Sequence, residues 1–276
     1  MNQWSSGDIV VNGIKLHYER TGGPGPTVVL AHGITDSRLD WGRLAQALEQ
    51  DYDLVMYDAR GHGLSDAPGT GYTRKTHAAD LAGLVDALGL DRPALIGHSM
   101  GAANVATALA TYPDLACGAI LEDPPWREVD PTEEPAQQMA ERAKSWRAEL
   151  VSYKDQSIEE ISDRAAAKNP TWSKAVREAW AKSRLRVDPD VLDWLFDMIP
   201  FSEWEEIIRQ IQVPTLVITG DPDLGAIVTP EVAQAATELN SEIEVTHIED
   251  AGHSIRREQF APYLSAVRAF LADLFG

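Results

Sequence analysis

Two rhythms of apolar residues divide this chain. Asp8 to Tyr18, DIVVNGIKLHY, is two short apolar runs around Asn12-Gly13, a pair that favours the positive φ angles of a tight hairpin turn. After the turn-rich GGPGP, 27-TVVLA-31 is a continuous apolar run rich in β-branched residues, which predicts a strand buried on both faces. Leu39 to Leu48 carries helical spacing, and 53-DLVMY-57 reads as a second buried strand. From 73 to 88, Ala78, Leu81, Ala82, Val85 and Leu88 recur at helical period, with Gly89 as the stop. A third strand, 93-PALIG-97, runs towards a helix that reaches about Thr111, and a fourth is Ala119 to Leu121. Pro124-Pro125 then breaks the pattern.

From about 124 to 205 the strand-like runs disappear. Trp126, Trp146, Trp172, Trp180, Trp194 and Trp204 place six of the eight tryptophans in this stretch. Met139, Ala143, Trp146 and Leu150 fit one helix face, and Val191, Leu192, Leu195, Phe196 and Ile199 fit another. The strand alternation resumes with 213-VPTLVITG-220, a helix from about Pro230 to Leu239, 243-IEVTHI-248 and a closing helix from about Gln259 to Phe275. Residues 1–123 and 206–276 therefore read as one α/β core domain, and 124–205 as a helical cap inserted into it.

Alternation of buried strands with helices implies a mostly parallel central sheet flanked by helices, with ligands binding beyond the carboxyl ends of the strands. The polar clusters sit at those ends: His32-Gly33, Asp58, Ser99, Glu122-Asp123, Asp221/Asp223 and His253. Charge narrows the partners. With 24 Lys and Arg against 43 Asp and Glu, the formal net charge of −19 disfavours nucleic acid and anionic membrane surfaces. A small-molecule substrate is the expected partner, and self-association is left open. Cys117 is the single cysteine, so no intrachain disulfide forms. Neither a signal-like N-terminus nor an apolar span of membrane length is visible, so a cytoplasmic protein is expected.

The third strand ends in 97-GHSMG-101 and continues in small residues, Ala102, Ala103 and Ala106. A strand that turns sharply into a helix at a serine exposes its hydroxyl at the sheet edge, and glycines on both sides keep neighbouring backbone from colliding. With 32-HG-33, 58-DARGHGLSD-66, 97-GHSMG-101, 219-TGDPD-223 and 251-AGH-253 in this order, the chain resembles the α/β-hydrolase fold superfamily over essentially its whole length. The resemblance implies a Ser–acid–His triad with Ser99 as nucleophile and His253 as base. For the acid it favours Asp223, with Asp123 and Asp221 as alternatives. The oxyanion-hole donors it implies are the backbone N–H groups of Ile34 and Met100.

The expected chemistry is two-step acyl transfer on a carboxylic ester or lactone, hydrophobic or ring-containing. C–C bond hydrolysis, perhydrolysis or a receptor on a hydrolase scaffold stand as alternatives. Trp126 is the expected pocket wall. Asp36 is a candidate substrate-facing group that would discourage acidic substrates, or else the cap of the helix beginning near Ser37. With no Walker loop, dinucleotide fingerprint or Cys/His ligand cluster, no metal or organic cofactor is expected.

Overall fold

The computed structural model describes residues 4–127, 136–197 and 203–276. Eight strands form one sheet: β1 (Ser5–Val11), β2 (Ile14–Arg20), β3 (Thr27–Ala31), β4 (Asp53–Tyr57), β5 (Ala94–His98), β6 (Gly118–Glu122), β7 (Thr215–Thr219) and β8 (Ile243–His247). Their spatial order is β1-β2-β4-β3-β5-β6-β7-β8. β1 pairs antiparallel with β2, β2 antiparallel with β4, and every pairing from β4 to β8 is parallel. The hairpin turn is made as the sequence expects, with Asn12 and Gly13 at φ 48° and 77°.

The continuous apolar runs are buried strands because helices cover both faces of the sheet. Alternate side chains divide between two cores. Val29, Val55, Leu95 and Val217 face one cluster; Val28, Leu54, Ile96 and Leu216 face the other. The second is covered by α1 (Gly42–Leu48), which buries Leu44 and Leu48. The first is covered by α2 (Arg74–Ala87) and α3 (Met100–Thr111). Most residues of α3 are buried, and its alanines and Gly101 let it lie close to the sheet. Cys117 is half-buried against the second cluster, and burial pushes its thiol pKa up.

Between β6 and β7 the described residues hold helices and no strand: α4 (Ala136–Tyr153), α5 (Ile158–Lys168), α6 (Lys174–Arg186), α7 (Trp194–Asp197) and α8 (Glu203–Arg209). Ala143 and Leu150 of α4 are buried and Trp146 half-buried, as its spacing expects, while Met139's side chain lies outside those described. The second expected face is broken up. Pro189 starts a 3-10 turn over Pro189–Asp193 that buries Val191 and Leu192, and only four residues of α-helix follow; Ile199 is outside the described residues. The expected boundary at 205/206 falls inside α8, which packs on α3 and on α9 (Pro230–Leu239). The chain closes with α10 (Ile255–Glu258) and α11 (Phe260–Phe275), the latter burying Tyr263, Val267 and Leu271. No helix among the described residues is long and apolar enough to cross a membrane.

Candidate active site

Ser99 stands where β5 turns into α3, at φ 52° and ψ −116°. A non-glycine residue held there costs of order 1–3 kcal/mol and persists only where its surroundings over-determine it. Here they do. The Ser99 N–H donates to the Glu122 carbonyl (2.9 Å) on the neighbouring strand. A Cβ on Gly97 would lie 2.5 Å from the Gly101 backbone, and one on Gly101 would lie 2.1 Å from the Ala31 carbonyl oxygen. Only glycine fits on either side of the serine.

His253 occupies the loop between β8 and α10. Its Nδ1 lies 2.6 Å from Asp123 Oδ2. Asp123 follows β6 at φ 41° and is fully buried. Its carboxylate also accepts the N–H groups of Ile227 (2.9 Å) and Val228 (3.0 Å), and its own N–H donates to Ile218. A carboxylate that only accepts assigns the proton to His253 Nδ1, which leaves Nε2 as the ring's basic nitrogen. The His253 carbonyl accepts a hydrogen bond from His98 Nε2 (2.9 Å), and the two rings lie 4.8 Å apart.

The acid opposite His253 is thus Asp123, not Asp223. Asp223 sits exposed on a 3-10 turn at Pro222–Leu224, after which Gly225 reverses the chain at φ 100°. The loop expected to supply the acid instead supplies the two amides that hold it. Asp221 orders this turn, accepting from the Asp250 N–H (2.8 Å) and pairing with His247 Nε2 (2.9 Å). The signal for Asp123 lay in the acidic pair that ends ILED. Glu122 receives the Arg256 N–H and Nη1, both at 2.9 Å, and Asp123 receives His253, so the two acids clamp one loop.

Ser99, His253 and Ile34 line a cavity of 610 Å³ walled by Trp146 and Trp194, with Arg127 and Arg142 also in its lining. Trp194 is fixed by its Nε1–H donating to Asn104 (3.2 Å). Trp126 does not form the wall. It is buried and stacked on Trp204 at 5.6 Å, and its neighbours Pro125 and Arg127 reach the cavity instead. A second cavity of 310 Å³ shares Ile34, Ser99, Trp146 and His253 with the first and extends past Trp172 and Trp180.

Asp36 lines this second cavity but carries no free charge into it. It lies 2.8 Å from Arg257, 3.5 Å from Arg184 and from Arg256, and 3.6 Å from His98 Nδ1. Burial alone would raise its pKa; Arg257, with Arg184 and Arg256, overcomes that and holds it well below the usual carboxylate range. Nor does it cap the following 3-10 helix (Arg38–Trp41), a task taken by Ser37. These arginines escaped the sequence reading because each is one unremarkable cation until the fold brings them together. Arg60, within DARGHG, ties its loop to α2 and to the turn before it, bonding Asp80 (2.6 and 2.7 Å) and the Gly71 carbonyl (3.3 Å).

Met100 begins α3, so its N–H has no preceding carbonyl of that helix to bond and sits at the helix's positive end. Ile34 is buried in the loop after β3. No group of three His, Cys, Asp or Glu among the described residues is placed to hold a metal ion.

Comparison with known proteins agrees with this architecture. A model of the α/β-hydrolase fold matches residues 26–256. N-formylmaleamate deformylase of Pseudomonas putida is 29% identical over 275 residues, covering 97% of this chain and 96% of the relative. The 2-(acetamidomethylene)succinate hydrolase of Mesorhizobium japonicum is 41% identical over 104 residues, covering 38% of this chain and 37% of the relative. The crystal structure of E-2-(acetamidomethylene)succinate hydrolase superposes with a TM-score of 0.79 at 24% identity, over 98% of this chain and 100% of that one. With the family model spanning most of its length, the chain belongs to the α/β-hydrolase fold family.

Proposed function

We propose that this protein is a serine hydrolase that cleaves an acyl bond to oxygen or nitrogen in a small substrate bearing a carboxylate. The observation that carries the reading is the short His253–Asp123 contact at the foot of a cavity that the strained Ser99 also lines. An unassisted serine hydroxyl is a weak nucleophile at neutral pH and needs an adjacent base. His253 Nε2 takes the Ser99 proton as Oγ attacks the acyl carbon, and Asp123 holds the ring's tautomer and stabilises the imidazolium. The Ile34 and Met100 N–H groups meet the charge that develops on the carbonyl oxygen. His253 then gives the proton to the leaving oxygen or nitrogen. It next deprotonates a water that attacks the acyl carbon, and returns that proton to Ser99 Oγ as the acid leaves.

The ester or lactone expected from the sequence and an N-acyl bond pass through the same acyl-enzyme. An N-acyl substrate is supported by the relative that spans nearly the whole chain, a deformylase of an N-formyl compound, and by the hydrolase of an acetamido compound. Both are named for acids, and Arg127 and Arg142 lend cationic character to the cavity lining. The helices between 124 and 205 are read as a cap whose Trp146 and Trp194 wall the acyl cavity.

A fluorophosphonate probe is expected to label wild-type protein and not Ser99→Ala. On p-nitrophenyl acetate, a γ-lactone and an N-formyl amide, Ser99→Ala should lose turnover while its circular dichroism stays unchanged. A folded Ser99→Ala with activity within tenfold of wild type overturns the assignment.

A further inference from the structure

The loop that carries the Ile34 N–H is held by its carbonyls. The Gly33 carbonyl accepts the Asp36 N–H (3.0 Å) and His32 Nδ1 (2.8 Å). The Ile34 carbonyl lies 2.6 Å from His62 Nε2. These partners all belong to the core. The Thr35 carbonyl accepts Arg184 Nη1, and that donor comes from α6, in the helical segment between β6 and β7.

The order of these bonds along the backbone matters. Arg184 grips the oxygen of the Thr35–Asp36 peptide. The N–H of that same peptide donates to the Gly33 oxygen, and the Gly33 oxygen belongs to the Gly33–Ile34 peptide, whose N–H is the oxyanion donor in the proposed reaction. A guanidinium, two peptide groups and the oxyanion position thus form one line of donors pointing the same way. Peptides so aligned polarise one another, and the effect is larger away from water. Thr35 is buried at 4% exposure and Arg184 at 9%. The guanidinium is itself held, 4.3 Å over the Trp180 ring and 3.5 Å from the Asp36 carboxylate. Its neighbour Ser183 docks the same helix separately, through Ser37 Oγ (2.7 Å) and Asp40 Oδ2 (2.9 Å).

We propose that Arg184 is a positioning residue for the oxyanion hole, fixing and polarising the Ile34 N–H through the Thr35–Asp36 and Gly33–Ile34 peptides. The inference rests on the reading of Ser99 as nucleophile and Ile34 as oxyanion donor. It makes the helical segment part of the catalytic electrostatics as well as a wall of the cavity, because undocking α6 would remove the first donor of the line.

The test uses the full-length protein with two ketones. Ser99 adds to a trifluoromethyl alkyl ketone to give a hemiketal whose oxygen carries negative charge once His253 has taken the serine proton. The matching methyl ketone binds without that step. Arg184→Met is expected to lower kcat on p-nitrophenyl acetate about tenfold with KM within twofold, a fraction of what loss of a whole oxyanion donor costs. The trifluoromethyl ketone should weaken by the same factor and the methyl ketone should not. Arg184→Lys, which keeps the cation, should recover at least half of the loss on a logarithmic scale. Ser183→Ala should lower the melting temperature with kcat unchanged. The inference is overturned if Arg184→Met keeps kcat within twofold, if both ketones weaken together, or if Ser183→Ala loses as much kcat as Arg184→Met. Should Arg184→Met fail to fold, the ratio of the two ketone affinities in Arg184→Lys decides: lower than wild type supports the line of donors, unchanged rejects it. A wild-type protein that forms no hemiketal by 19F NMR removes the Ser99 reading itself, an outcome distinct from an active wild type with an indifferent Arg184.

Discussion

At the scale of single residues, the two candidate acids are separated by surroundings and not by chemistry. Asp123 is fully buried, contacts His253 Nδ1 at 2.6 Å and accepts two backbone N–H groups, whereas Asp223 stands in solvent. An amide at 123 would keep the shape but present a donor or a weaker acceptor to the imidazole, favouring the wrong tautomer. Asp123→Asn is therefore expected to lower kcat by about 10³- to 10⁴-fold, and Asp223→Asn to change it less than twofold. Steady-state kinetics on one ester decides, and the reverse ranking would sink the assignment. Ser99 and His253 were legible because a strand, a serine between glycines and a late histidine each leave a local signature. Asp123 left only the pair Glu122-Asp123 after an apolar strand. Which of two acidic loops turns inward is decided by Gly225 and the Ile227 and Val228 amides, contacts more than a hundred residues away in sequence.

At the scale of elements, strands were legible and the inserted helices less so, for one physical reason. β3 to β7 are almost wholly buried, so each is an uninterrupted apolar run between turn residues. The stretch from 187 to 197 satisfies helical spacing just as well, yet Pro189 and the Asp188 cap select a 3-10 turn. What the pattern hides is the ionic joint where the loop after β3, α6 and α10 meet. Asp36 is the shared anion of that joint, facing Arg184, Arg256 and Arg257. Removing one partner from a buried ionic group typically costs about 3–5 kcal/mol, so Asp36→Asn should lose stability of that order in urea unfolding at pH 7. The sign with pH follows from its depressed pKa. The contribution is complete above the ordinary value of 3.8 and is lost as pH falls below it towards the folded-state value. The gap between wild type and Asp36→Asn should therefore be constant from pH 7 to about 5 and narrow below pH 4. A gap that widens in acid would mean that Asp36 is not held as an anion.

At the scale of the whole molecule, the acidic excess of the chain is set against the cations that the described residues place beside Ser99. The chain carries a formal −19, yet among the described residues the cavity beside Ser99 is lined by Arg127 and Arg142 as well as by Glu149. Glu149 is engaged by the Tyr153 hydroxyl (2.7 Å) and lies 3.9 Å from Lys168, so its charge is partly met by neighbours that do not line this cavity. Near physiological salt the Debye length is about 8 Å, so the distant surface acids are largely screened while a contact inside the cavity is not. A carboxylate-bearing substrate would then feel the local cations more than the global charge. The backbone of Arg127 is anchored by Trp204 Nε1 donating to its carbonyl (3.0 Å), so a substitution there changes the side chain without freeing the segment. An exposed ion pair contributes about 1 kcal/mol, which is roughly fivefold in KM. Arg127→Gln is accordingly expected to raise KM about fivefold for an ester carrying a free carboxylate and to leave KM for the neutral ester of the same length within twofold. Equal changes for both substrates would mean that Arg127 shapes the cavity without reading charge, and the acidic-substrate reading would fall while the Ser99–His253–Asp123 assignment stood.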